Sequence, residues 1–164
     1  MLKKVLGMTL VILSLSVSTF AAIPHDQMHI GRLKPGMTMQ QVAEIYGMPQ
    51  KVISPSKAAG GMYNIAGGMI AGWINDKGVF AQYDIRNDIA GSERITASGG
   101  IHIGMTPTDV INCLGKPDKA KSINNIIFYD YNSLEQGIAG NGYPDVLLLR
   151  FDHGRLSIIS INRY

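Results

Sequence analysis

Apolar positions along this chain follow two periods, one near 3.6 residues and one of two. Val42, Ile45 and Tyr46 recur at i, i+3 and i+4, as do Val110, Cys113 and Leu114, so each trio makes one apolar stripe on a short helix. Both helices carry end signals. Thr38 and Thr106 stand where an N-cap belongs, with a hydroxyl able to accept from a backbone N–H of the first turn. Three residues on, Gln41 and Asp109 can reach back to the cap residue's own N–H. Pro107 takes the first helical position, where its missing donor costs nothing. Gly47 and Gly115 suit the left-handed residue that closes a helix, and Pro49 and Pro117 forbid its resumption. Helices this short do not stand alone in water, so the stripes need cover.

The period-two segments are the candidates for that cover. An extended segment starts at 51–53, and 54–61 is a loop of small residues. Residues 62–74 are uncharged and glycine-rich. Extended back to Ala58 they make seventeen uncharged positions, which raises a membrane helix of glycine-zipper type; Asn64 and the many glycines favour a strand pair with a Gly-rich bend. Asn75-Asp76-Lys77-Gly78 is a turn signal before a strand at 79–85, and a short strand follows near 93–96. In the second half, 125–132 is a strand with three aromatics and 133–144 a long loop. Residues 145–151 and 156–162 form a hairpin about Asp152-His153-Gly154-Arg155.

The helical stretch occurs twice. Gly36, Met37, Thr38, Val42, Gly47 and Pro49 return 68 residues later as Gly104, Met105, Thr106, Val110, Gly115 and Pro117, six matches in fourteen positions without a gap. One module used twice is the expectation: an α+β protein of two tandem repeats, 30–96 and 97–164, each a short capped helix packed on an antiparallel sheet of three to four strands. The same shift lays Val79, Ala81 and Tyr83 over Leu147, Leu149 and Phe151. Alternation then sends those six to the helix-covered face, and Phe80, Gln82, Leu148 and Arg150 to the open one. Trp73, Tyr129 and Tyr131 are assigned to the open side as well.

Charge changes the picture little once the first residues are set apart. Lys3 and Lys4, an apolar run at 5–17 and small residues at Thr19 and Ala21 read as an export signal over 1–21, cleaved after Ala21. A retained membrane anchor is the alternative, for which the apolar run is short. Residues 22–29 are expected to be a flexible N-terminus. Cleavage leaves 13 basic residues against 12 acidic ones, and the formal charge falls from +3 to about +1, so no nucleic-acid partner is implied. With no cysteine near the cleavage site there is no lipid anchor. The product is expected to be exported, periplasmic or secreted, and soluble.

Candidate chemistry is sparse. Cys113 excludes an internal disulfide by being alone, and its place on the apolar stripe predicts a small buried hydrophobe rather than a nucleophile. His25 and His29 have metal-pair spacing if helical, but Pro24 and the lack of a third ligand make them solvent-exposed loop histidines. Asp152-His153 sits in a hairpin turn, where turn geometry accounts for it. His102, before the second motif, is expected to be exposed. No catalytic residue, metal or cofactor is expected.

The Gly-Met-Thr helix closing in Gly-x-Pro, with the aromatic strand Phe128-Tyr129-Asp130-Tyr131 and the hairpin after it, resembles the SmpA/OmlA (BamE-like) domain family of outer-membrane assembly. Two such modules in one exported chain also resemble the β-lactamase inhibitor protein family, a tandem repeat whose helices lie behind one continuous concave sheet. The first family's lipidated cysteine and the second's disulfides are both missing here. The resemblance implies no catalytic residues. The function expected is non-catalytic binding of a protein partner in the envelope or outside the cell, through Trp73, Phe80, Gln82, Tyr129, Tyr131 and Arg150 on the open face and adjacent loops. The alternatives are an enzyme inhibitor or an outer-membrane assembly accessory, and less so an enzyme.

Overall fold

The computed structural model describes residues 23–52, 60–136 and 144–163. The export-signal stretch and most of the two loops, at 54–59 and 137–143, lie outside the described residues. Two helices form, α1 at Met39–Tyr46 and α2 at Pro107–Leu114. At each N-terminus the capping exchange is complete. Thr38 Oγ1 accepts from the Gln41 N–H at 3.3 Å while Gln41 Oε1 accepts from the Thr38 N–H at 2.8 Å. Thr106 and Asp109 repeat this at 3.2 and 2.9 Å. Gly47 and Gly115 stop the helices with φ of 81° and 79°, a left-handed region closed to most side chains.

Eight strands follow in chain order: β1 Gln50–Val52, β2 Met62–Ile65, β3 Ile70–Ile74, β4 Phe80–Arg86, β5 Lys119–Ile123, β6 Ile126–Gln136, β7 Pro144–Asp152 and β8 Arg155–Asn162. They make one antiparallel sheet in the order β1-β2-β3-β4-β8-β7-β6-β5. The expectation of two helix-on-sheet repeats is therefore wrong. β4 and β8 pair from Gln82↔Asn162 to Arg86↔Ile158, so no boundary divides the sheet, and a single hydrophobic cluster runs from Ile65 and Ile70 to Tyr129 and Leu156. Halves of about 70 residues would each be marginal alone; pooling strands and core enlarges the buried surface and removes two free edges as well.

Each Gly-Met-Thr stretch fastens its helix to the head of a central strand. The Gly36 N–H donates to the Phe80 carbonyl (2.9 Å) and Phe80 donates back to Met37 (2.8 Å); Gly104, Leu156 and Met105 do the same at 2.8 and 2.8 Å. Phe80 thus has Leu156 as its counterpart, and β4 corresponds to β8. The constant 68-residue shift that matched β4 to β7 fails because the connections before those strands differ in length.

Three further expectations change. The short strand near 93–96 is a single helical turn at Ser92–Arg94. The 22–29 segment is not a loose tail where it is described: Ile23 bridges to Ser133 and Met28 is fully buried. Cys113 is exposed, not buried, because α2 is rolled so that Val110 and Leu114, its buried residues, meet the core. The 62–74 stretch is β2 and β3 with a bend at Ala66–Gly68, and among the described residues no helix is long and apolar enough to cross a membrane.

The two motif glycines are not equivalent. Both have positive φ, 84° at Gly36 and 95° at Gly104. A Cβ at Gly104 would meet nothing within 4 Å, whereas one at Gly36 would fall on the Arg163 guanidinium. Gly104→Ala should cost about 1–2 kcal/mol for the backbone alone. Gly36→Ala should cost clearly more, since Arg163 must also leave a buried carboxylate. Urea unfolding of the two variants compares them directly.

Candidate functional site

The helices and the N-terminal segment cover one face of the sheet, and among the described residues nothing covers the other. Its central row crosses all eight strands: Gln50, Asn64, Ala71, Asp84, Ser160, Leu148, Asp130 and Lys119 stand side by side. One flanking row holds Trp73, Gln82, Asn162, Val146 and Asn132. The other holds Arg86, Ile158, Arg150, Phe128 and Lys121. Phe128, Leu148 and Ile158, all half-buried, line a depression of ≈ 210 Å³ rimmed by Arg150, Asp130 and Ser160.

The polar groups on this face are held by their neighbours. Arg150 donates from Nε and Nη2 to Asp152 Oδ1 at 3.1 and 2.9 Å. Hydrogen bonds from Ser157, then from Arg150, hold the Asp152 carboxyl below its usual range. Asp84, at the centre, accepts from Ser160 Oγ and from Gln82 Nε2 (3.0 Å). Burial raises its pKa against the pull of those bonds and of Arg86. At the far end, burial also raises Asp130, opposed by Lys119 across the strand pair.

No family model matches this chain, and no curated protein is detectably similar. Among solved structures, a DUF4309 family protein (YjgB) from Bacillus subtilis subsp. subtilis str. 168 aligns at 11% identity. The alignment covers 81% of this chain and 83% of that one, with a TM-score of 0.49.

Of the six side chains expected on the open face, Trp73, Gln82 and Arg150 lie there. Phe80, Tyr129 and Tyr131 do not; they are core. For Phe80 the cause is a bulge: Trp73 stands opposite Gln82 but Ile74 opposite Phe80, so alternation slips by one residue. Its ring stacks on Tyr83 at 5.3 Å between centroids and passes so close to Gly72 that a Cβ there would lie 2.7 Å away. For the tyrosines the register decides. Tyr129 pairs with Leu149 and Tyr131 with Leu147, both on the covered face. Tyr129 meets Phe151 edge-on at 5.0 Å, and the Tyr131 hydroxyl donates to the Gly115 carbonyl at 3.0 Å, closing the end of α2. Sequence reasoning missed Phe128, Ile158 and Asp84. A usable signal was present, because Asp130 and Asn132 alternate with the tyrosines and mark the wet side of β6.

The other candidates lie apart from this face or serve the fold. His153 and Gly154 occupy the β7–β8 turn with φ of 51° and 73°, and His102 is exposed. His25 and His29 do not form a pair. His29 Nδ1 donates to the Gly31 carbonyl at 2.9 Å. His25 is not solvated either: its Nδ1 lies 2.8 Å from Oδ2 of Asp145, which is fully buried. Among the described residues no three His, Cys, Asp or Glu side chains converge as metal donors.

Proposed function

We propose that this chain is a non-catalytic, exported binding module that takes a protein partner of the cell envelope or exterior on the open face of its sheet. The observation that carries the reading is a sheet face that no described residue covers, on which Phe128, Leu148 and Ile158 line a shallow depression, with Trp73 farther along the face on β3. Contiguous, partly exposed apolar side chains with a polar rim are what protein interfaces are made of. The basic–apolar–small pattern of residues 1–21 supports export, and the Gly-Met-Thr helix start resembles that of an envelope-protein family. Arg150, locked by Asp152, offers a preorganised rim contact.

The test is substitution on the open face alone. Leu148→Asp and Phe128→Ala should each weaken partner capture by about 2 kcal/mol or more, some thirtyfold. Thermal stability should stay within a few degrees of wild type. Capture by immobilised wild-type and variant chains from an envelope extract, beside melting curves, measures both. Variants that unfold instead, or that capture the same protein equally well, rule the reading out.

A further inference from the structure

We infer that the partner places a cationic side chain, lysine or arginine, on Asp84 and a large apolar side chain in the neighbouring depression. The inference rests on the binding reading above and names the chemistry of the segment bound. Asp84 stands in the middle of the central row, and its two hydrogen-bond donors, Ser160 Oγ and Gln82 Nε2, are both neutral. The guanidinium nearest along its strand, Arg86, is turned to Asp88 by bonds of 3.1 and 3.0 Å. Arg150 is tied to Asp152, and Lys119 stands across from Asp130 at the far end of the row.

An ionised Asp84 is therefore tolerated through the two neutral donors and the water on the open side. A partner laid over the face strips that water away. Removing it without compensation is strongly unfavourable for a carboxylate. A partner that brings a positive group turns the same desolvation into a short charge-assisted contact. An acidic or wholly apolar partner surface is selected against at this spot.

Geometry sets the spacing. Leu148 lies two strands from Asp84, with Ser160 between them, or about 10 Å at ordinary strand separation. A loop carrying Lys or Arg two or three residues from Leu, Phe or Tyr spans that distance. The aliphatic stem of the basic side chain would lie over Ser160, keeping its charged end at the carboxylate.

The probe is a phage-displayed library of random disulfide-constrained peptides, panned on the purified chain. The expected result is enrichment of peptides with a basic residue close to a large apolar one. Their affinity should fall about tenfold or more for Asp84→Asn, whose amide oxygen can keep the Ser160 and Gln82 bonds to Oδ1 and gives up only the second Gln82 bond, to Oδ2, and for Leu148→Asp. Peptides that lose affinity for Leu148→Asp but bind Asp84→Asn unchanged overturn the cationic anchor and leave the open-face reading standing. A library yielding no peptide sensitive to either substitution overturns both.

Discussion

Replacing Tyr131 with alanine should destabilise the protein by about 3–5 kcal/mol, the cost of emptying a large aromatic site in a core. Tyr131 is fully buried on β6, among Leu147 and its neighbours on the covered face. Desolvation raises its phenol pKa, so the group stays a neutral donor to Gly115 at any ordinary pH. Tyr131→Phe keeps the packing and removes only that bond, and should cost about 1 kcal/mol. Denaturant unfolding separates the two. An alanine variant as stable as wild type would mean that the ring is not core after all. The pair also separates stability from binding, because neither substitution alters the open face.

Arg163→Met should be comparably damaging, by about 3–5 kcal/mol at neutral pH, because it strands a buried charge. Asp145 is fully buried, and Arg163, at 8% exposure, sits with Nε 3.9 Å from its Oδ1. His25 approaches the other oxygen at 2.8 Å, yet neither carboxylate oxygen meets a donor in hydrogen-bonding alignment. The Asp145 N–H is better served, donating to Ser133 Oγ at 3.1 Å. Burial raises the Asp145 carboxyl above its ordinary value, against the pull of His25 and then Arg163.

The sign of the pH effect follows. A carboxyl whose folded pKa exceeds its unfolded one adds stability while it holds its proton. That contribution is complete below the unfolded value and disappears as pH rises through the folded one. Without Arg163 the folded value climbs further, so the Arg163→Met deficit should shrink as pH is lowered from neutral towards about 4. Asp145→Asn/Arg163→Met, with no charge to strand, should regain most of the loss at neutral pH and, lacking the carboxyl, should not share the Asp145 contribution that the other two proteins gain on acidification. Urea midpoints of the three proteins against pH supply the check. A deficit in Arg163→Met that does not vary with pH would mean that Asp145 is not the group at issue.

The two helices and the β7–β8 hairpin were legible in the sequence because their signals are local. Thr38 with Gln41, Thr106 with Asp109, and His153-Gly154 act over three residues or fewer, and nothing distant competes with them. The faces of the strands were harder. Leu147, Leu149 and Phe151 alternate cleanly, and their covered face was read correctly. Tyr129 and Tyr131 were misplaced by giving weight to residue type, since aromatic side chains serve interfaces and cores equally; Asp130 and Asn132 carried the parity. Phe80 was beyond reach of alternation, because the bulge opposite Ile74 resets the count.

By itself, then, the sequence determined where the helices start and stop, which residues turn the last hairpin, and that a helix-covered layer of strands must exist. Tertiary structure alone decided that β4 and β8 join everything into one sheet, that Phe80 points inwards, and that His25, Asp145 and Arg163 meet. The physical reason is register: pairing between strands far apart in sequence is set by the whole core, and a slip of one residue exchanges the two faces.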